Sequence, residues 1–447
     1  MALECAHCGN RCDDGATRCP KCLRTTHLVP VTEAPATRPR WPIAVVALGA
    51  LALAGGAAAF FLRRPPTPPP LPANAPASAS DPLAAGEELA PLVARARAER
   101  EPVARARLVA AEVHRRRAAA LAGDDEPTPP PRAPSLLWRV LPNARERVTE
   151  LDLARLVAAA LRAAGDPAAV AERTAPPRPD DALDPTGARG SFVVTAGDHV
   201  VEPTLGTLVG RGDVRHRPLA ERALAGAVSA QAALELADAG ADPARAIEYA
   251  NAAVEAWPDS PHPLAARARV WRAAGASGGL DSALNDLRAA VAVRDDAALH
   301  LLLARVALVR NDLAGAVAAA SRAASLAPGW GTASAALLAL NDVSIQLDAG
   351  APNGCARLRT ARAPWTDDAY ALCAPDVAAD VRTAAARRLL DASRDPLRVA
   401  LAASALPAGP VATLTARVAP HERRELAAWL LLLGRGDLLA PGDGGAP

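Results

Sequence analysis

Cys5, Cys8, Cys19 and Cys22 form two Cys-x2-Cys pairs separated by a ten-residue loop, all within the first 22 residues. A two-residue spacing brings both sulfurs of a pair onto one ion, at about 2.3 Å each, so two pairs close a tetrahedron around Zn2+. Four thiolates leave no coordination position for water, which makes the expected metal structural and not catalytic. Gly9, directly after Cys8, suits a tight turn that aims backbone N–H groups at sulfur. Cys12 and His7 are spare donors outside the paired spacing and are not counted as ligands.

The array resembles the short zinc ribbon that begins many bacterial membrane proteins, which implies a zinc-stapled ribbon over residues 1–28. Ribbons contact nucleic acid or protein. Here Arg11, Arg18, Lys21 and Arg24 are the only cations in the array's neighbourhood, and no aromatic lies among them to stack a base. The whole chain, 447 residues with a formal net charge of +2, offers no electrostatic case for nucleic acid. Protein contact or capping of the tail is therefore expected of the ribbon, and a regulator that touches nucleic acid is the second alternative.

After a juxtamembrane segment (29–42), residues 43–62 run for twenty positions without a charge. As a helix they span about 30 Å, the thickness of a bilayer's hydrocarbon core. Trp41 and Pro42 precede the stretch and Arg63-Arg64 close it, as at two membrane interfaces. Arg24, Arg38 and Arg40 on one side nearly balance Arg63 and Arg64 on the other, but no further basic residue follows until Arg95. With a reduced thiolate cluster at the N-terminus, this places that end in the cytosol and the rest beyond a bacterial cytoplasmic membrane. Residues 63–82, rich in proline and alanine, are expected to form an extended spacer. A helical segment follows over 83–126, interrupted at Pro102, and a second proline cluster occupies 127–134.

Apolar residues make up 51% of the chain, yet only seven Trp, three Phe and two Tyr are present. Hydrophobicity carried by alanine and leucine favours helices over strands, so the expected fold is mostly α. Residues 135–215 differ in texture: a helix is expected from Glu150 to Ala164, stopped by Gly165. A hairpin is expected over Ser191–Thr204, turning at Ala196-Gly197-Asp198. His199 at this turn reads as a solvent-facing residue.

That helix and hairpin resemble the core of the transglutaminase-like family, a papain-type fold. In the family a catalytic Cys opens the helix, a His begins the next strand and an Asp-Pro-Thr closes the following one. Aligning Gly165 on the family's glycine puts Glu150 at the Cys position, Ser191 or Phe192 at the His position and Glu202-Pro203-Thr204 in place of the Asp. A carboxylate without a neighbouring base is no nucleophile towards amides, so the resemblance implies a catalytically inactive small α+β domain. A peptidase or amidase with a rearranged site is the first alternative. No phosphate loop, dinucleotide fingerprint or His-Glu-x-x-His motif is present.

From residue 221 the pattern is helical and repeats. Ala246, Ala283 and Ala316 form one column, Ala253, Ala290 and Ala323 a second, and Pro258, Asp295 and Pro328 a third, each advancing by 37 and then 33 residues. The longer interval holds a short insertion around Ala276–Gly279. This period, with small residues inside a helix pair and proline at its end, resembles tetratricopeptide repeats over 221–340, which implies an α-solenoid that binds a protein or peptide. A C-terminal helical region (341–440) continues or caps the stack. Cys355 and Cys373 lie eighteen residues apart and are either a disulfide or two buried thiols. The expected function is a single-pass membrane scaffold with a structural zinc ribbon and a helical-repeat interaction domain, without catalysis.

Overall fold

A computed structural model describes residues 3–5, 11–12, 28–30, 83–118, 134, 137–138, 141, 148–174, 191–275, 278–342, 353–361, 363, 365–406 and 412–439. The chain divides into two compact units, Met1–Asp81 and Pro82–Pro447. Cys8, Cys19 and Cys22, the apolar span 43–62 and the spacer 63–82 lie outside the described residues. Among the described residues no helix is long and apolar enough to cross a membrane.

In the first unit, strands β1 (Leu3–Cys5), β2 (Arg11–Cys12) and β3 (Leu28–Pro30) make an antiparallel sheet in the order β2-β1-β3. Cys5 pairs with Leu28, and Cys12 faces Leu3.

The second unit is mostly helical with a small antiparallel sheet. Helices α1 (Ala90–Ala98) and α2 (Pro102–Ala118) flank the interruption at Pro102, which sits at a helix start, where its missing N–H costs nothing. Helix α3 (Glu150–Ala164) begins at a capping box. The Thr149 hydroxyl accepts the Asp152 N–H at 3.2 Å, and the Asp152 carboxylate accepts the Thr149 N–H at 3.1 Å. It ends at Gly165 with φ 103°, a left-handed cap that suits glycine. Leu151 through Leu161 are buried without a break, because α1 and α2 cover one side of the helix and the sheet covers the other.

The sheet has five strands, β4 (Ala168–Arg173), β5 (Phe192–Ala196), β6 (His199–Glu202), β7 (Thr207–Gly210) and β8 (His216–Pro218), in the order β7-β6-β5-β4-β8. The expected hairpin is its centre, with Val194 opposite Val201 and Gly197 at φ 57° in the turn. Alternation along the central strands feeds two cores: Val170, Phe192, Val194 and Val201 join α3, and Ala171, Val193 and Val200 form a smaller cluster. Leu224, Ala227 and Trp257 reach into the larger core, so the helices that follow are continuous with it.

Those helices come in pairs: α4 (Glu221–Asp238) with α5 (Pro243–Ala256), α6 (Pro261–Ala274) with α7 (Gly279–Val293), and α8 (Ala297–Val309) with α9 (Leu313–Leu326). Caps recur at equivalent starts. Ser260 and Asp296 open α6 and α8, while Asp242 and Asp312 open α5 and α9, each side chain accepting a first-turn N–H. The alanine columns are buried throughout, which lets paired backbones approach closely. The C-terminal part adds α10 (Gly331–Ala339), α11 (Gly354–Leu358), α12 (Thr366–Cys373), α13 (Ala379–Ala392), α14 (Pro396–Ser404) and α15 (Arg423–Leu432). It turns back on the pairs. Helix α14 packs on α10 and α15, α15 packs on α8, and the turn Pro420–Glu422 touches α6.

Candidate functional site

Glu150 occupies the first turn of α3, where a carboxylate meets the positive end of the helix dipole. Its Oε2 accepts the backbone N–H of Phe192 at 3.1 Å, which fixes the helix start against the start of β5. Ser191 precedes that strand, and its carbonyl accepts the Arg173 N–H at 2.9 Å. The Arg173 guanidinium in turn holds Glu202 Oε1 at 2.5 Å, at the end of β6. The three positions chosen from sequence therefore gather at one end of the sheet, Glu150 and Ser191 through Phe192, and Glu202 through Arg173.

Both gathered carboxylates have structural partners. Glu150 is occupied with a backbone donor and Glu202 with an arginine. His199 stands at the opposite end of β6, about 10 Å along the strand from Glu202. It is half-buried within the ladder, opposite Ala196 and Gly210, and not a solvent-facing turn residue. A different histidine, absent from the sequence reading, lies closer: His114 of α2 donates from Nδ1 to the Thr204 carbonyl at 2.9 Å. Gly206, φ 66°, makes this possible, since a Cβ there would stand 2.6 Å from His114 Cβ. Nothing in the local sequence around His114 marks this role, because it depends on α2 packing against β6 and β7.

Cys355 and Cys373 are joined as a disulfide between α11 and α12, with Cα atoms 5.9 Å apart. They are the only cysteines of the second unit, so that unit holds no thiol. Cys5 ends β1; its three expected co-ligands fall outside the described residues, and the zinc set rests on its spacing. Among the described residues no group of three or more His, Cys, Asp and Glu side chains is placed to hold a metal.

Two buried ionic clusters escaped sequence reading. In the first, Glu172 of β4 accepts from Arg217 at 2.9 Å, Arg294 at 2.9 Å and the Ser260 hydroxyl at 3.0 Å, with His262 Nε2 at 3.3 Å. Burial raises this carboxyl's pKa, but His262, Arg217 and Arg294 outweigh burial and hold it down at about 2. The cluster ties the sheet to the start of α6 and the end of α7.

The second cluster lies where the C-terminal helices meet the pairs. Glu425 of α15 holds Arg272 of α6 at 2.6 Å and Arg305 of α8 at 3.4 Å, and accepts the Trp429 indole N–H at 3.1 Å. Arg305 also pairs with Asp395 at 2.5 Å. Burial disfavours the Asp395 carboxylate, yet Arg305 and Arg398 beside it keep its pKa below the usual range. His421 is pushed down to about 4, first by burial and then by Arg269 and Arg272, with Asp238 opposing. Arg269 and Arg305 are each the ninth residue of their helix, a repeat signal visible in the sequence once the helix starts are known.

Set against protein-family models, curated proteins and solved structures, the chain matches none of them.

Proposed function

We propose that this chain is a single-pass, membrane-anchored scaffold that binds other proteins and performs no catalysis. In this reading Cys5, Cys8, Cys19 and Cys22 hold a structural zinc ion in a cytosolic ribbon, residues 43–62 cross a bacterial cytoplasmic membrane, and 63–82 space the second unit from its outer surface. The helix pairs form a tetratricopeptide-like solenoid that presents its surfaces to a protein or peptide. The observation that carries the reading is the regular succession of α4 to α9, with all six alanines of the two columns buried. Each pair covers its neighbour's apolar face, which yields an extended surface suited to binding.

Residues 135–215 fit the reading as an inactive transglutaminase-like unit. Its helix opens on Glu150, engaged by a backbone N–H, and no thiol exists in the second unit to replace it. The disulfide supports an extracytoplasmic position for that unit, since such bonds persist in oxidising compartments.

The arrangement is tested with the full chain. Metal analysis is expected to return one zinc per chain, lost in Cys19→Ser. A reporter enzyme fused after residue 447 is expected to work only outside the cytosol. A fusion active only in the cytosol inverts the topology, and a zinc-free preparation removes the ribbon from the proposal.

A further inference from the structure

The face formed by α6 and α8 is not bare: the chain's own C-terminal segment lies on it. What joins them is apolar burial, with Leu426, Trp429 and Leu430 of α15 all 1% exposed or less, and a buried ionic cluster. Ion pairs join helices elsewhere too, Arg267 with Asp286 and Arg269 with Asp238, but here the charges are the most deeply buried: Glu425 is clamped between Arg272 and Arg305, and Arg305 reaches on to Asp395. Side chains of Arg272, Arg305 and Glu425 are each 5% exposed or less. A buried ion pair adds little net stability over an apolar pair, whereas its partners are costly to strand alone. The ionic part of this contact is suited to exchange, because an incoming carboxylate replaces a departing one like for like, provided that an aromatic side chain also takes the place of Trp429.

The resident carboxylates also leave the arginines only partly used. Nε of Arg272 and Nε of Arg305 are buried, and no acceptor meets them among the described residues. A guanidinium presents a fork of donors that a carboxylate can engage with two parallel bonds. Arg272 receives Glu425 through Nη1, one prong of that fork.

We propose that the α6–α8 face is the docking surface for a carboxylate-bearing helical segment of a protein partner, and that α14 and α15 of this chain cover it as a resident competitor. The partner segment carries a carboxylate and, one helical turn on, an aromatic residue, the chemistry that Glu425 and Trp429 display on α15. This rests on reading the repeats as a protein-binding surface, and it adds where the partner sits and what must move first.

The probe is a fluorescein-labelled peptide of this chain's residues 417–438, added to the full chain in detergent. Wild type is expected to bind it weakly. The variant Asp395→Asn with Glu425→Gln, which loosens the resident segment and keeps both arginines, is expected to bind at least ten-fold more tightly. Adding Arg272→Ala and Arg305→Ala is expected to abolish the gain. Hydrogen exchange of the unaltered chain supplies a second readout: amides of 423–432 are expected to exchange at least ten-fold faster than those of 301–308, as one opening unit. Coincident exchange of the two segments, or a folded double variant that ignores the peptide, overturns the inference. So does a double variant that forms a dimer through its own segment, which assigns the face to a second copy. None of these outcomes bears on whether other surfaces of the pairs bind proteins, which is read separately by cross-linking.

Discussion

Arg272 and Glu425 stand 153 residues apart in the sequence and meet Nη1 to Oε2 at 2.6 Å, both buried. The pair links the second helix pair to the last long helix of the chain. Its energy is best read as a coupling, because removing either partner strands the other. Arg272→Met and Glu425→Gln are each expected to lower the urea midpoint. Together they are expected to cost less than their sum by roughly 2 kcal/mol, within the range for contacting residues. Strict additivity in urea titrations contradicts a direct buried pair.

Glu172 sets an acid limit on the fold. Its folded pKa, about 2, lies below the ordinary value of 4.5. A depressed carboxyl contributes stability that is present above the ordinary value and is lost as pH falls towards the folded one. Glu172→Gln strands Arg217 and Arg294 and is expected to cost roughly 3–5 kcal/mol near neutral pH. The gap between wild type and variant, measured by urea unfolding, should narrow between pH 4.5 and about 2. A gap that stays constant across that window contradicts the assignment.

His421 acts at milder pH. Its folded pKa of about 4 lies below 6.5, so the unfolded chain binds a proton that the folded chain refuses. Stability is therefore complete above pH 6.5 and falls as pH drops towards 4, by up to roughly 3 kcal/mol. The groups facing it are Asp238 of α4, Arg269 and Arg272 of α6, and Glu425 of α15. Neighbouring Glu422 has a raised pKa, from burial and Glu425, and so works in the opposite direction. His421→Gln should flatten the melting temperature between pH 6.5 and 4; an unchanged slope assigns the effect elsewhere.

Gly354 starts α11 one residue before Cys355 and lies against α10. A Cβ there would stand 2.3 Å from the Leu338 nitrogen and 2.7 Å from its Cα, and backbone cannot step aside as a side chain can. Gly354→Ala is expected to cost roughly 2 kcal/mol or more and to push α11 off α10. The readout is the disulfide: under mild reductant, alkylation of Cys355 and Cys373 should run faster in the variant. Equal rates indicate that the helix tolerates the added methyl.

What the sequence revealed follows from how local each signal is. Helix Glu150–Ala164 was readable because leucine and alanine predominate up to Gly165, and the hairpin because valines flank Ala196-Gly197-Asp198. The alanine columns were readable through their spacing. Strand β4 was not: Ala-Ala-Val-Ala-Glu-Arg has helical propensity and becomes a strand only by pairing with β5 and β8. Glu172, Arg272, Arg305 and Glu425 look like ordinary surface charges in the sequence. Their burial comes from contacts across 45 to 153 residues, which no local pattern encodes. His114 was missed for the same reason, and His199 was misplaced because a turn-proximal histidine reads as exposed when the β7 strand beside it goes unrecognised.

The most direct measurement of the central claim is photocross-linking of the full chain in intact cells. A photoreactive residue is placed singly at Asn251, Val293 and Leu431, all exposed on the second unit, and at Glu87 as a control outside the pairs. The account predicts a discrete adduct with another protein from at least one of the three, absent from the control. No protein adduct from any of them, with the chain folded and in the membrane, contradicts a protein-binding scaffold.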